Sequence, residues 1–318
     1  TYVKMVFMNK KGRRARLGLA AIAAAGLLLT ACSSGSNASQ SHSPGQPLNV
    51  VAAFYPLQYA AEQVGGNNVK VTSLTPPGVE PHDLELTPAQ VAEIRNADAV
   101  LYIPGFQPAV DAAIEQQAPD KAIDVTKGTT LLAGAPESGG ANGAQADATD
   151  PHIWLNPANM TTIGKNIETA LANQDPSAAP ALATGEQSLT SKMSALSDEF
   201  ATGLKSCRTK DLVVSHEAFA YLAGAYGFTQ VGISGLSPDA EPSPARVKEV
   251  SDIVKAKGVT TVYYETLVDP KVAETIARET GATAAVLDPL EGLAPGSSGD
   301  YESVMRTNLA TLKQGQKC

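Results

Sequence analysis

The sequence predicts an α/β fold: two lobes, each a small and mostly parallel sheet flanked by helices, joined by one long linking helix with a cleft between the lobes. Three observations carry this. Short apolar, β-branched runs alternate with helical patterns from residue 48 onward, as in parallel sheets with crossover helices. One unbroken helical stretch, residues 179–204, separates these runs into two groups. Three of the four histidines fall at or beyond strand ends, where open α/β sheets place their ligands.

The elements follow in order. Residues 1–32 are a processing signal: Lys10, Lys11, Arg13, Arg14 and Arg16 form a basic start, residues 17–29 an apolar run, and Leu29-Thr30-Ala31-Cys32 a small-residue cleavage site. The apolar run is too short for an ordinary membrane span. Cys32 after Leu-Thr-Ala resembles the lipobox of bacterial lipoproteins, in which that Cys is lipidated. With Met5 and Met8 downstream of Thr1, the sequence as given is expected to include residues ahead of the initiator. Residues 33–47 are rich in Ser, Gly, Pro and Gln and read as a flexible tether. The signal holds six of the 24 basic side chains and none of the 32 acidic ones, so cleavage leaves a formal charge of −14. An exported, acidic chain without a basic aromatic stretch is not a nucleic-acid binder.

In the first lobe, residues 48–178, strands are predicted at 48–54, 69–74, 99–104 and 122–125. Thr87-Pro88 opens a helix by N-cap and first-turn proline, burying Val91 and Ile94, and Gln107-Pro108 opens another that buries Val110 and Ile114. Residues 127–149 have little apolar content and predict a mobile loop. Asn156-Pro157 caps the next helix, which breaks at Asp175-Pro176. The linking helix then places Leu182, Leu189, Met193, Leu196, Phe200 and Leu204 at helical spacings over about 39 Å. In the second lobe, residues 205–318, strands are predicted at 211–215, 229–234, 260–265 and 282–287. Helices start at Ser243-Pro244 and Asp269-Pro270, the latter ending before Gly281, and a last one covers about residues 301–312.

His42 lies in the tether. His82, His152 and His216 lie at strand ends or in the loops beyond them, and Asp288 directly follows the strand that ends at Leu287. Pro151 and Pro157 stiffen the loop around His152, and Trp154, the one Trp of the chain, can wall it. Asp288 serves equally well as a turn residue or as a ligand on the side of His216. These positions are too scattered for a zinc finger; a two-lobed scaffold is needed to join them into a tetrahedral cage of three imidazoles and one carboxylate.

The segments 78–88, 150–157 and 214–219, with Tyr226-Gly227, Tyr264-Glu265 and 287–290, resemble in order the motifs of the metal-binding solute-binding lipoproteins of ABC transporters. The likeness is to the zinc-uptake, ZnuA-like branch. It implies Zn2+ held in the cleft by His82, His152, His216 and Asp288, lipid anchoring through Cys32 outside the cytoplasmic membrane of a bacterium, a membrane permease as partner, and a monomer. Glu80 is a candidate alternative ligand, and Glu217 and Glu265 supporting groups. The chain departs from many zinc-type members in its 127–149 loop, which has no His and offers only Glu137, Asp147 and the flanking Asp150 to cations.

Three imidazoles and one carboxylate favour zinc over manganese, which takes more oxygen donors; manganese-type members tend to carry Glu in place of His216. A Mn2+ carrier is the alternative within the family. A zinc hydrolase is disfavoured, because His216-Glu217 lacks the second His of HExxH and no spare general base accompanies the site. A surface adhesin is a third reading, suggested by the anchor alone. With Cys32 assigned to lipid, Cys207 and Cys318 remain and are expected to pair in an exported protein.

Overall fold

The computed structural model describes residues 46–134 and 149–318. The signal segment with Cys32, His42 and nearly all of the tether, and most of the 127–149 loop, therefore lie outside the described residues. Strands β1 (Leu48–Ala52), β2 (Val69–Ser73), β3 (Ala99–Tyr102) and β4 (Ala122–Asp124) form one parallel sheet in the order β2-β1-β3-β4. Strands β5 (Asp211–Val214), β6 (Thr229–Gly232), β7 (Thr261–Tyr264) and β8 (Thr283–Val286) form a second in the order β6-β5-β7-β8. Each strand lies within its predicted stretch but stops one or two residues before the apolar pattern does. The chain leaves the sheet there while still buried: Phe54, Leu74 and Leu287 are fully covered just past their strands. In both sheets the order reverses between the first and third strands, which opens a crevice at their carboxyl ends.

The helices are α1 (Tyr55–Gly65), α2 (Pro88–Asn96), α3 (Pro108–Gln117), α4 (Pro157–Gln174), α5 (Ala179–Leu204), α6 (Ala220–Tyr226), α7 (Pro244–Lys257), α8 (Lys271–Thr280) and α9 (Tyr301–Gly315). The caps of α2, α4 and α7 are those read in the sequence: side chains of Thr87, Asn156 and Ser243 accept from the backbone N–H of Gln90, Ala158 and Arg246. At α8 the cap is Pro270, one residue later than predicted, and Asp269 turns back to accept from Lys271 N. Helices α1 and α6 were not predicted. Phe54 and Phe219 give them no side-chain cap, so neither start is announced, and α6 is only seven residues long, too short to show a helical period.

Helix α5 buries the six predicted residues and no others. It packs on α1 and α4 along one part and on α9 and α6 along another, so it spans both groups of strands. Gly185 permits this packing: a Cβ there would lie 2.2 Å from the Val64 carbonyl oxygen at the end of α1. A single apolar core runs from Leu48 and Val50 of the first sheet through Leu196 and Phe200 of α5 to Leu212, Val214 and Tyr263 of the second. A smaller core lies between the second sheet and α7 and α8. Cys207, just past α5, is disulfide-bonded to Cys318 after α9, across 111 residues.

Candidate metal centre

Four loops beyond strand ends meet in the crevice. His82 comes from the loop after β2, His152 from the loop after β4, His216 from the end of β5, and Glu291 from the loop after β8. Their ligand atoms lie within 4.8 Å of one another, and all four residues are buried. The Nε2 atoms of His82, His152 and His216 stand 3.3, 3.3 and 3.1 Å from Glu291 Oε1. Ligands about 2.0–2.1 Å from one zinc ion would be separated by roughly 3.3 Å at the corners of a tetrahedron. The three distances to Glu291 Oε1 fit that figure. His152 Nε2 is fully buried and stands 3.3 Å from Glu291 Oε1, outside hydrogen-bond geometry, so it is available as a ligand atom.

The other ring nitrogens of His152 and His216 are held from behind. His152 Nδ1 lies 2.8 Å from Asp150 Oδ1, which also accepts from the His152 backbone N–H at 2.9 Å. His216 Nδ1 lies 2.8 Å from Glu265 Oε1, which also accepts from Ser215 Oγ. Carboxylates placed this way set the Nδ1–H tautomer and turn Nε2 toward the metal position. Glu265 thus stands behind His216, and Asp150, which the sequence marks only as a flanking acid, stands behind His152.

Glu80 does not converge with the four. Both of its oxygens accept from His82 N, at 2.9 and 3.1 Å, so it shapes the turn that presents His82. Burial and the nearby Glu291 carboxylate push its pKa up to about 8. Glu217 packs its side chain over Gly232, where a Cβ would sit 2.3 Å from its Cγ, away from the ligand atoms. Trp154 packs 5.2 Å from the His152 ring and 4.7 Å from Phe54, and its Nε1 donates to Pro289 O at 2.8 Å. It therefore braces both the His152 loop and the loop bearing Glu291.

Asp288, predicted as the carboxylate ligand, does not join the group either. Its Oδ1 accepts from Leu290 N at 2.7 Å and its Oδ2 from Thr266 Oγ1 at 3.0 Å, the arrangement of a turn-forming aspartate. The turn carries Leu290 through a left-handed φ of 57° and delivers Glu291 inward. The signal for Glu291 was its place three residues past Asp288 on the same loop; what hid it was the reversal at Leu290, which no residue preference announces.

The electrostatics follow from burial opposed by contact. Burial drives the His82 imidazole below its ordinary pKa. Burial also acts against charge on His152 and His216, but the carboxylates of Asp150 and Glu291 on the first, and of Glu291 and Glu265 on the second, outweigh it and raise both. The three imidazoles in turn overcome the burial of Glu291 and hold it well below the usual carboxylate range. The site is built to accept positive charge at its centre.

Comparison with known proteins agrees with this geometry. The family model described as the periplasmic zinc-uptake complex component A (ZnuA) matches residues 50–315. The high-affinity zinc uptake system protein ZnuA of Bacillus subtilis is 35% identical over 306 residues, covering 93% of this chain and 96% of that protein. The Zn(II)-bound ZnuA-like domain of Streptococcus pneumoniae AdcA superposes with a TM-score of 0.72 at 33% identity, covering 86% of this chain and all of that one. The laminin-binding protein Lmb of Streptococcus agalactiae, described as bifunctional with adhesin and metal transporting activity, superposes with a TM-score of 0.75 at 31% identity, covering 85% and 100%. Full-length AdcA proteins are longer; the chain spans 55% of the one from Streptococcus pyogenes serotype M1.

Proposed function

The chain belongs to the zinc-uptake complex component A family, and on that premise we propose that it captures Zn2+ outside the cytoplasmic membrane and passes it to the permease of an ABC transporter. The ion is cargo, held by His82, His152, His216 and Glu291. The observation that carries this reading is the convergence of three imidazole Nε2 atoms on one buried carboxylate oxygen at 3.1–3.3 Å. Three nitrogen donors and one oxygen suit zinc better than manganese. Four protein donors also fill a tetrahedral zinc, leaving no open position for a reactive water, which supports binding and not hydrolysis.

Lipidation at Cys32 would keep a monomeric binder close to its permease and raise its effective concentration there. Among the described residues no helix is long and apolar enough to cross a membrane. The deciding experiment strips the metal, titrates zinc against manganese in competition, and measures which metal restores growth through the intact transporter. Zinc is expected to win both; rescue by manganese with zinc ineffective overturns the reading. The likeness to Lmb supports a second reading as a surface adhesin. Metal-independent binding of laminin by the anchored protein would favour it.

A further inference from the structure

Tyr221 sits on the first turn of α6, the helix that follows His216, and is buried. Its hydroxyl has two partners in the first half of the chain: it accepts from Leu132 N at 2.9 Å and donates to Asp150 O at 2.8 Å. Burial pushes its pKa up to about 12, so the hydroxyl keeps its proton and can donate. Leu132 and Asp150 face each other where the two sides of the loop meet. Asp150 N donates directly to Leu132 O at 2.9 Å, and Ala133 and Thr149 form an antiparallel bridge beside them. A hydrogen-bonded antiparallel pair exchanges two N–H···O bonds. Here one is direct and the other is relayed through the tyrosine oxygen, so a side chain from the opposite half is built into the neck as part of a rung.

Asp150 is also the residue whose side chain holds His152 at both its backbone N–H and its Nδ1. We propose that Tyr221 is a positioning residue for the metal centre: its hydroxyl latches the Leu132–Asp150 neck to the helix behind His216, fixes Asp150 and through it His152, and so sets how fast zinc is released. The inference rests on the zinc-capture reading above. Removing the hydroxyl leaves two outcomes for the neck. Either Leu132 N and Asp150 O stay apart and unpaired, or they close to a direct bond and carry Asp150 with them. In both cases the support behind His152 changes, while the ring of Tyr221 and the ligands themselves remain.

The test compares the unmodified protein with Tyr221→Phe and Tyr226→Phe. Tyr226 lies on the same helix, but its hydroxyl partners Ser197 Oγ and not the neck, so its loss reports what a missing hydroxyl does to α6 alone. Zinc dissociation is followed by chelator competition, and ligand geometry by the visible absorption of the Co2+-saturated proteins. Tyr221→Phe is expected to release zinc on the order of tenfold faster, as loss of two buried hydrogen bonds implies, and to alter the Co2+ band, with Tyr226→Phe matching the unmodified protein in both. Because the Co2+ spectrum is read on folded, saturated protein, it decides the matter even where the variants differ in stability. An unchanged off-rate and spectrum in Tyr221→Phe, or equal changes in Tyr226→Phe, overturns the proposal. Failure of the unmodified protein to bind zinc would remove the function it rests on instead.

Discussion

Two carboxylates three residues apart have different tasks, and a pair of isosteric changes separates them. Glu291→Gln removes the one oxygen donor among three imidazoles and is expected to weaken zinc by at least the upper part of the roughly 10–100-fold range seen when supporting groups of a metal site are lost. Asp288→Asn loosens only the turn at Leu290 and should fall toward the lower part. Zinc titration of both variants checks this; a larger loss for Asp288→Asn would return Asp288 to the ligand set. His216→Glu is expected to weaken zinc while improving relative manganese binding, since it adds oxygen donors. Acid should also compete with the metal. Zinc ligation needs deprotonated imidazoles, and the carboxylates beside His152 and His216 favour their protonated forms, so protons compete with zinc for the site. Affinity is therefore expected to fall as pH drops from about 8 to 5, with a binding heat that depends on the buffer. A pH-independent affinity over that range would contradict the imidazole-and-carboxylate cage. The three histidines were legible because loops beyond strand ends limit where side chains can converge. Glu291 and Tyr221 were not, because their partners lie 71 to 209 residues away or their placement turns on one left-handed residue; Asp150 was not, although His152 is only two residues on, because the turn that brings its Oδ1 to His152 Nδ1 has no residue signature of its own.

At the scale of elements, proline and hydroxyl or amide caps announced α2, α4 and α7, and alternation with helices announced all eight strands. The uncapped α1 escaped, yet its contact with α5 is among the tightest in the molecule. Gly185 decides that contact. Gly185→Ala improves intrinsic helix propensity by about 1 kcal/mol, but the new methyl would stand 2.2 Å from Val64 O and 2.8 Å from Gln63 O, backbone atoms that no side-chain rotation can clear. Overpacking of this kind costs about 1–3 kcal/mol, so the net effect is expected to be destabilising. Urea unfolding measures it, and a stabilised variant would show that α1 and α5 can separate freely. The disulfide acts at the other end. Closing 111 residues between Cys207 and Cys318 restricts the unfolded chain by up to about 4.7 kcal/mol in the chain-entropy model. The Gln316 side chain beside it also docks the end of α9, accepting from Tyr263 Oη and donating to Asp211 O. Replacing both cysteines with Ala should lower the unfolding midpoint while leaving zinc binding nearly unchanged, because the ligand loops lie at the opposite, carboxyl ends of the strands.

For the whole molecule, the question is whether zinc closes two lobes or rearranges loops between lobes that stay fixed. A wide hinge needs a thin connection, and this chain has none among the described residues: one apolar core passes from the first sheet through α5 into the second. The halves are also tied beside that helix. Tyr301 Oη donates to Trp154 O at 2.6 Å, the Tyr59 and Tyr301 rings stack at 5.3 Å, and Gly78 N donates to Leu293 O at 2.8 Å. At about 1 kcal/mol for each such hydrogen bond, with the apolar contacts in addition, opening the halves would cost much of a typical domain's stability. Loops that carry single ligands move at far lower cost. Zinc is therefore expected to leave the radius of gyration unchanged while slowing amide exchange at residues 76–87, 150–156 and 287–295, with little change in β1 or β5, which are buried with or without metal. X-ray scattering and hydrogen exchange on metal-free and zinc-loaded protein test this together. A marked compaction on zinc addition, with exchange slowing along α5, would mean that the long helix bends and that capture proceeds by hinge closure.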